Sequence, residues 1–241
     1  MSFWPYFGLK RGIKTTSWPS AKEQSPGITP GRPRSASNAS SNATTQLCPT
    51  GALHPVETGV SVDLTHCIHC QRCRQGPHAL PWEDDVAWTV NAGTALSPLG
   101  YRFRRSLHVR YIDAGACGAC INEARLLDAP VYNLHRLGIF ITASPRDADV
   151  LLVAGPITNA MCTAVRKAYS AMPHPKRVVG MGVCAINGGI FGENFACVGG
   201  LQKIVPVDLW IPGCPPPPLA ILHGLLAVVG RTQCTTAEEL P

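Results

Sequence analysis

The sequence predicts an α/β fold: a parallel sheet flanked by helices, preceded by a smaller cysteine-rich unit and an extended N-terminal arm. Three observations predict it. From Arg104 onward, short apolar runs alternate with helical patterns, the order expected of a parallel sheet with crossover helices. Cys117 and Cys120, then Cys184, then Cys214 each fall just after one of those apolar runs. Upstream, Cys67, Cys70 and Cys73 recur at three-residue spacing.

A chain of 241 residues is long enough for one sizeable α/β domain and a smaller unit. The net charge of +6 is concentrated upstream, in Lys10, Arg11, Lys14, Arg32, Arg34 and the arginines between Arg72 and Arg105. No nucleic-acid motif accompanies it, so the expected partner is protein rather than nucleic acid. Eleven cysteines invite a disulfide reading. Met1 to Lys14 has no apolar run of signal-peptide length, and no stretch reaches the roughly 18 apolar residues of a membrane span. The expected location is therefore cytoplasmic, where clustered thiols point to metal rather than to cross-links.

Residues 1–47 are rich in Ser, Pro, Gly, Asn and Thr without a sustained hydrophobic period, and read as an extended arm. Its opening WPYFG is aromatic, which suits either a docking anchor or a segment folded over its own domain. Residues 48–100 read as a degenerate ferredoxin-like domain. Bacterial-type ferredoxins repeat C-x2-C-x2-C-x3-C-P twice, and the last cysteine of each repeat serves the other repeat's cluster. Here the second repeat is Cys67, Cys70 and Cys73 with Pro77 in fourth place, and the first survives as Cys48-Pro49, with Asn38, Ser41 and Thr44 at its earlier positions. One cluster thus keeps all four ligands, Cys48, Cys67, Cys70 and Cys73, and the other loses all four. Zinc is the competing reading, since it accepts four thiolates and His66 and His69 sit among them, but its ligand pairs are normally separated by a longer insert. His66, His69 and His78 are expected to be exposed turn residues. Pro81 to Val90, acidic and bearing two tryptophans, reads as a connector to a second domain at 101–241.

In that domain the expected strands are Leu107–Ile112, Gly138–Thr142, Val150–Ala154, Arg177–Met181 and Val207–Ile211. The expected helices are Ile121–Leu134, Asn159–Met172 and Leu219–Val229, the second capped at Thr158-Asn159. Strands of a parallel sheet all point one way, so residues beyond their carboxyl ends gather along the edge where open α/β sheets place ligands. Cys117, Cys120, Cys184 and Cys214 can therefore meet, and glycines beside them allow close backbone approach and offer amide donors to sulfur. This constellation predicts a second 4Fe–4S cluster, two in all. Gly115 to Cys120 is not G-x-G-x-x-G, and flavin binding by a flavodoxin-like sheet would leave the thiols at the strand ends unexplained. Cys162 is expected in the core, Cys197 near the site without a ligand role, Cys234 idle, and Arg146 in a surface turn. His135 and His223 are expected to be packing or surface residues.

The motifs GACGACINE, ASPRDADVLLVAGPIT, GVCAINGGIF and PGCPPPP resemble the small subunit of formate-hydrogenlyase-type membrane-bound nickel–iron hydrogenases and the related cluster-bearing subunit of respiratory complex I, over about residues 104–231. The preceding part, including GRPR, resembles the ferredoxin-like subunit of the same complexes. The resemblance implies a flavodoxin-like domain whose Cys117, Cys120, Cys184 and Cys214 hold the cluster nearest a catalytic large subunit. It implies an electron-transfer role without bond-breaking residues, with Glu123 on a proton path or simply stabilised at a helix N-terminus. Implied partners are that large subunit, a ferredoxin or further iron–sulfur subunit, and membrane subunits that hold the assembly at the inner face of the cell membrane. Complex I subunits carry adjacent cysteines where Gly118 and Ala119 here separate Cys117 from Cys120, which favours a hydrogenase. The alternatives are a complex-I-like quinone reductase, a nickel-free energy-converting relative, or a zinc-stabilised assembly module.

Overall fold

The computed structural model describes residues 3–20, 29–36, 41–57, 59–75, 79–93 and 96–233. Cys234, His78, Pro77 and Asn38 lie outside them. The chain opens with helix α1 (Trp4–Arg11), which buries none of its residues. Behind it, Thr16 N–H donates to the Val131 carbonyl at 2.8 Å and Trp18 is buried. The arm is thus part helix in solvent and part strap across the larger domain.

The cysteine-rich unit is built from small pieces. Strand β1 (Arg32–Pro33), helix α2 (Ser41–Gln46) and the hairpin β2 (Leu53–Val56) and β3 (Gly59–Val62) precede β4 (Trp82–Glu83), which pairs antiparallel with β1. Its core is Ala52, Leu53, Val60, Val62, Leu64 and Leu80, packed with Cys67. So small a core cannot bury much apolar surface, and units of this size commonly need a cross-link or a bound metal to stand alone.

Strand β5 (Val90–Asn91) comes from the segment read as a connector, yet it pairs antiparallel with the last strand of the main sheet. That sheet continues with β6 (Leu107–Asp113), β7 (Ile139–Ile141), β8 (Val150–Ala154), β9 (Arg177–Met181) and β10 (Leu209–Ile211), in the order β5-β10-β9-β8-β6-β7. Counting only the parallel strands, the order is 2-1-3-4-5, that of flavodoxin-like sheets. Strand β8 is buried throughout, as expected of a central parallel strand covered on both faces.

The helices are α3 (Ala119–Leu126), α4 (Asn159–Ala171), α5 (Val183–Asn187) and α6 (Pro218–Val228). Helix α6 is apolar all round and buries every residue, so something must cover its outer side. Trp18 and Leu99 share its core, and Leu99 N–H donates to the Val228 carbonyl at 2.9 Å. The expected helix Ile121–Leu134 is corrected: α3 starts two residues earlier and stops at Leu126. Pro130 supplies no amide and disfavours helical geometry at the residue before it, so the chain turns instead. Among the described residues no helix is long and apolar enough to cross a membrane.

Candidate metal–sulfur centres

The loop after β6 is set by Asp113, whose Oδ1 accepts from Gly115 N–H at 2.9 Å and Ala116 N–H at 2.7 Å. Gly118 then caps α3 at φ +92°, a left-handed conformation that glycine adopts without strain. The result leaves Cys117 exposed and turns Cys120 inward, in the first turn of α3. Cys184 lies in the first turn of α5, directly after β9, and Cys214 follows β10. These last two loops are tied together: Gly182 N–H donates to the Ile211 carbonyl at 2.8 Å and Val183 N–H to the Gly213 carbonyl at 3.0 Å.

The loops that carry these thiols meet along one edge of the sheet. A Cβ on Gly182 would stand 2.9 Å from Cys120 Sγ and 3.4 Å from the Gly213 oxygen, so residues after three different strands touch there. Burial pushes the Cys120 thiol up to about 12, with Cys184, Cys214 and Cys117 each near enough to raise it further. Burial likewise pushes Cys184 up to about 11, and Cys214 upward. A bare thiolate is thus disfavoured here, and a positively charged centre that takes thiolates as ligands would offset that cost. A Cβ on Gly189 would meet Cys184 Sγ at 2.7 Å, a second cradle kept open by a glycine.

In the smaller unit Cys48, Cys67, Cys70 and Cys73 line one small cavity together with Ala52, Ile68 and Trp82. Burial pushes the Cys67 thiol up to about 12, and Cys73, Cys48 and Cys70 add to the shift. The Ala52 amide points at Cys48 Sγ at 3.3 Å, the kind of donor that steadies a thiolate ligand. Thr44, expected at an earlier position of the first repeat, is fully buried in α2. Among the described residues, no three or more His, Cys, Asp or Glu side chains form a group that could hold a metal ion.

The histidine expectation needs one correction. His66 is exposed and pairs with Asp63 at 2.7 Å, but His69 is no exposed turn residue. It stacks on Trp88 at 4.2 Å and meets Trp82 edge-on, half-buried between the two rings. The tryptophans that enclose it come from the connector, a long-range contact invisible to local pattern. Cys162 donates to the Thr158 carbonyl at 3.4 Å from a half-buried position. Cys197 is buried close enough to Cys184 to raise its pKa. Arg146 is exposed in a turn. Glu123 is half-buried on α3, and burial raises its carboxyl.

Sequence reasoning also missed Asn187, at the end of α5. Its Nδ2 donates to the Thr65 carbonyl at 3.2 Å, while its Oδ1 accepts from Gly189 N–H at 2.9 Å. One side chain thus ties the segment before Cys67 to the loop after Cys184.

Residues 117–228 match the family described as the 20 kDa subunit of NADH ubiquinone oxidoreductase. An uncharacterized protein of Methanocaldococcus jannaschii is 44% identical over 137 residues, 57% of this chain and 92% of its own length. The chain belongs to this family. Formate hydrogenlyase subunit 7 of Escherichia coli is 40% identical over 55% of this chain and 52% of its own length, so only about half of that relative is spanned. The Pyrococcus furiosus protein named probable membrane-bound hydrogenase subunit mbhJ is 38% identical over 57% of this chain and 82% of its own length. Among solved structures, a chain of the archaeal membrane-bound sulfane sulfur reductase aligns at 32% identity and TM-score 0.48, over 55% of this chain and 75% of its own. The family match begins at the first cysteine of the sheet edge and leaves the cysteine-rich unit outside it.

Proposed function

We propose that this chain is the electron-transfer subunit of a membrane-associated nickel–iron hydrogenase of the formate-hydrogenlyase type. Cys117, Cys120, Cys184 and Cys214 would hold one 4Fe–4S cluster, and Cys48, Cys67, Cys70 and Cys73 a second. Such clusters accept and release single electrons at potentials set by their surroundings. The observation that carries this reading is the approach of three strand-end loops at one edge of the sheet, where Gly182 stands against Cys120 and Gly213, and Cys117, Cys184 and Cys214 are near enough to Cys120 to raise its pKa.

The chain's own residues do the positioning. Asp113 and Gly118 shape the loop that separates Cys117 from Cys120, and Gly189 keeps space over Cys184. Exposed Cys117 and Cys214 turn that edge outward, toward the proposed large subunit that performs the hydrogen chemistry. Asn187 holds the smaller unit against the larger, which keeps the two centres in register for transfer onward to a ferredoxin or another iron–sulfur subunit. Glu123, half-buried three residues past Cys120, would face the same interface on a proton path. Association with the inner face of the membrane would run through integral membrane subunits of the complex.

The hydrogenase reading is favoured over complex-I-like quinone reduction by the separation of Cys117 and Cys120 and by the names of two relatives. Anaerobic purification of the full chain tests the cofactors: about eight irons and broad visible absorption are expected, two four-iron sites. Colourless protein with stoichiometric zinc would replace the reading with a zinc-stabilised assembly module. Co-purification with a nickel-containing large subunit separates hydrogenase from its nickel-free relatives.

A further inference from the structure

The edge of the sheet opposite the cysteines carries a cleft of about 540 Å³. It lies where β6 and β7 begin and α6 ends. Arg104 and Arg105 precede β6, His135 and Arg136 precede β7, and Arg231 follows α6; all five line the cleft, with the rings of Tyr101 and Phe140 at its walls. The floor is tight: Leu107 N–H donates to the Gly138 carbonyl at 2.8 Å, and a Cβ on Gly138 would stand 2.3 Å from the Arg105 oxygen.

Three of the four guanidiniums, those of Arg104, Arg136 and Arg231, are held by backbone carbonyls rather than by acids. Arg104 Nη2 donates to Gly230 at 3.0 Å, Arg231 Nη1 to Leu137 at 2.6 Å and to Arg104 at 3.1 Å, and Arg136 to Tyr132 and Trp18. Among the described residues no carboxylate forms an ion pair with any of the four arginines; Asp128 lies 3.5 Å from His135 Nε2 instead. Burial lowers the pKa of Arg136, and Arg231 lowers it further; burial and then Arg104 do the same to Arg231. Among the described residues, these like charges are held together with no carboxylate paired to any of the arginines. The carboxyl-terminal end of α6 beside Arg231 favours cations, but it offsets only about half a charge.

We infer that this cleft is a binding site for a phosphate ester. A single carboxylate would leave most of the positive charge uncompensated, whereas a phosphate brings up to two charges and matches planar guanidinium donors two at a time. The cleft falls within the roughly 300–1,000 Å³ of small-molecule sites, so a phosphate seated among the arginines leaves room for a flat or apolar body against Tyr101 and Phe140. The same chemistry is offered by a free phosphoester and by an anionic lipid headgroup. Neither depends on the cysteine sites, which lie at the other end of the strands.

The test uses the purified full chain at low ionic strength with two probes: inorganic pyrophosphate, and phosphatidylcholine vesicles with and without phosphatidylglycerol. Saturable binding of at least one probe is expected, weakening as salt is raised. Arg105→Glu should weaken it at least tenfold with iron content and melting temperature unchanged, because its guanidinium holds none of the backbone bonds above; Arg105→Gln, a milder change, should show a smaller loss. Pyrophosphate binding in solution assigns a free phosphoester, and binding confined to phosphatidylglycerol vesicles assigns a headgroup. Binding of neither probe, or binding indifferent to both substitutions, overturns the inference.

Discussion

Asn187 Nδ2 donates to the carbonyl of Thr65 at 3.2 Å, joining a residue three positions past Cys184 to one two positions before Cys67. The same amide's oxygen holds Gly189 N–H at 2.9 Å, beside Cys184. One side chain therefore links the backbone shortly before Cys67 to the loop that follows Cys184. Asn187→Ala should leave the part-buried Thr65 carbonyl without this donor and cost about 1 kcal/mol. In the assembled complex it should slow electron transfer between the centres while iron content stays near wild type. Chemical denaturation and rapid-mixing optical spectroscopy would read both effects; unchanged transfer would show that the bond does not set the spacing.

Gly182→Ala probes the sheet edge. The residue sits at φ +84°, and the added methyl would meet Cys120 Sγ at 2.9 Å. Backbone at this positive φ costs a residue with a Cβ about 1–3 kcal/mol before any collision is counted. The expected outcome is protein retaining about four of about eight irons, since the second proposed site is built from other residues. Iron retained in full would mean that Cys120 is not a ligand.

Paired substitutions should partition the cofactors. Cys184→Ser and Cys67→Ser should each remove about four irons and leave the other centre's spectrum intact. Loss of all iron from either variant would show that the two units do not load independently.

His223 makes stability depend on pH. It is buried in α6 with Nδ1 2.8 Å from Thr89 Oγ1, and burial holds its pKa down to about 4, against a raising influence from Asp85 and a lowering one from Arg32. An unfolded histidine titrates near 6.5, so between these values the unfolded chain binds a proton that the folded chain does not. Stability is then lost as pH falls through this window, about 2 kcal/mol between pH 7 and pH 5 at 1.36 kcal/mol per unit. His223→Gln should flatten that slope in denaturant unfolding measured at both pH values.

Trp18→Ala should destabilise the larger domain by about 3–5 kcal/mol, because Trp18 is 8% exposed in the core it shares with α6. Truncating α1, which buries nothing, should leave the melting temperature unchanged.

The sheet was largely legible in the sequence. Val150–Ala154 and Arg177–Met181 match β8 and β9 residue for residue, because buried parallel strands are continuous apolar runs with abrupt ends. The strand-end cysteines were legible for the same reason, since direction alone sends Cys117, Cys120, Cys184 and Cys214 to one edge. The sequence did not disclose β5, α5, the burial of His69 or the Asn187 bridge. Strand β5 has two residues, α5 has five, and neither is long enough to show a period.

The sequence by itself determined which residues could be thiol ligands and along which edge they would fall, because the alternation of strands and helices sets chain direction locally. Only the tertiary structure decided that Asn187 links the segment before Cys67 to the loop after Cys184, that Trp18 completes the cover of α6, and that four arginines share a cleft at the far edge. Those relationships join residues dozens of positions apart. They depend on how loops and connectors pack, which no local period records.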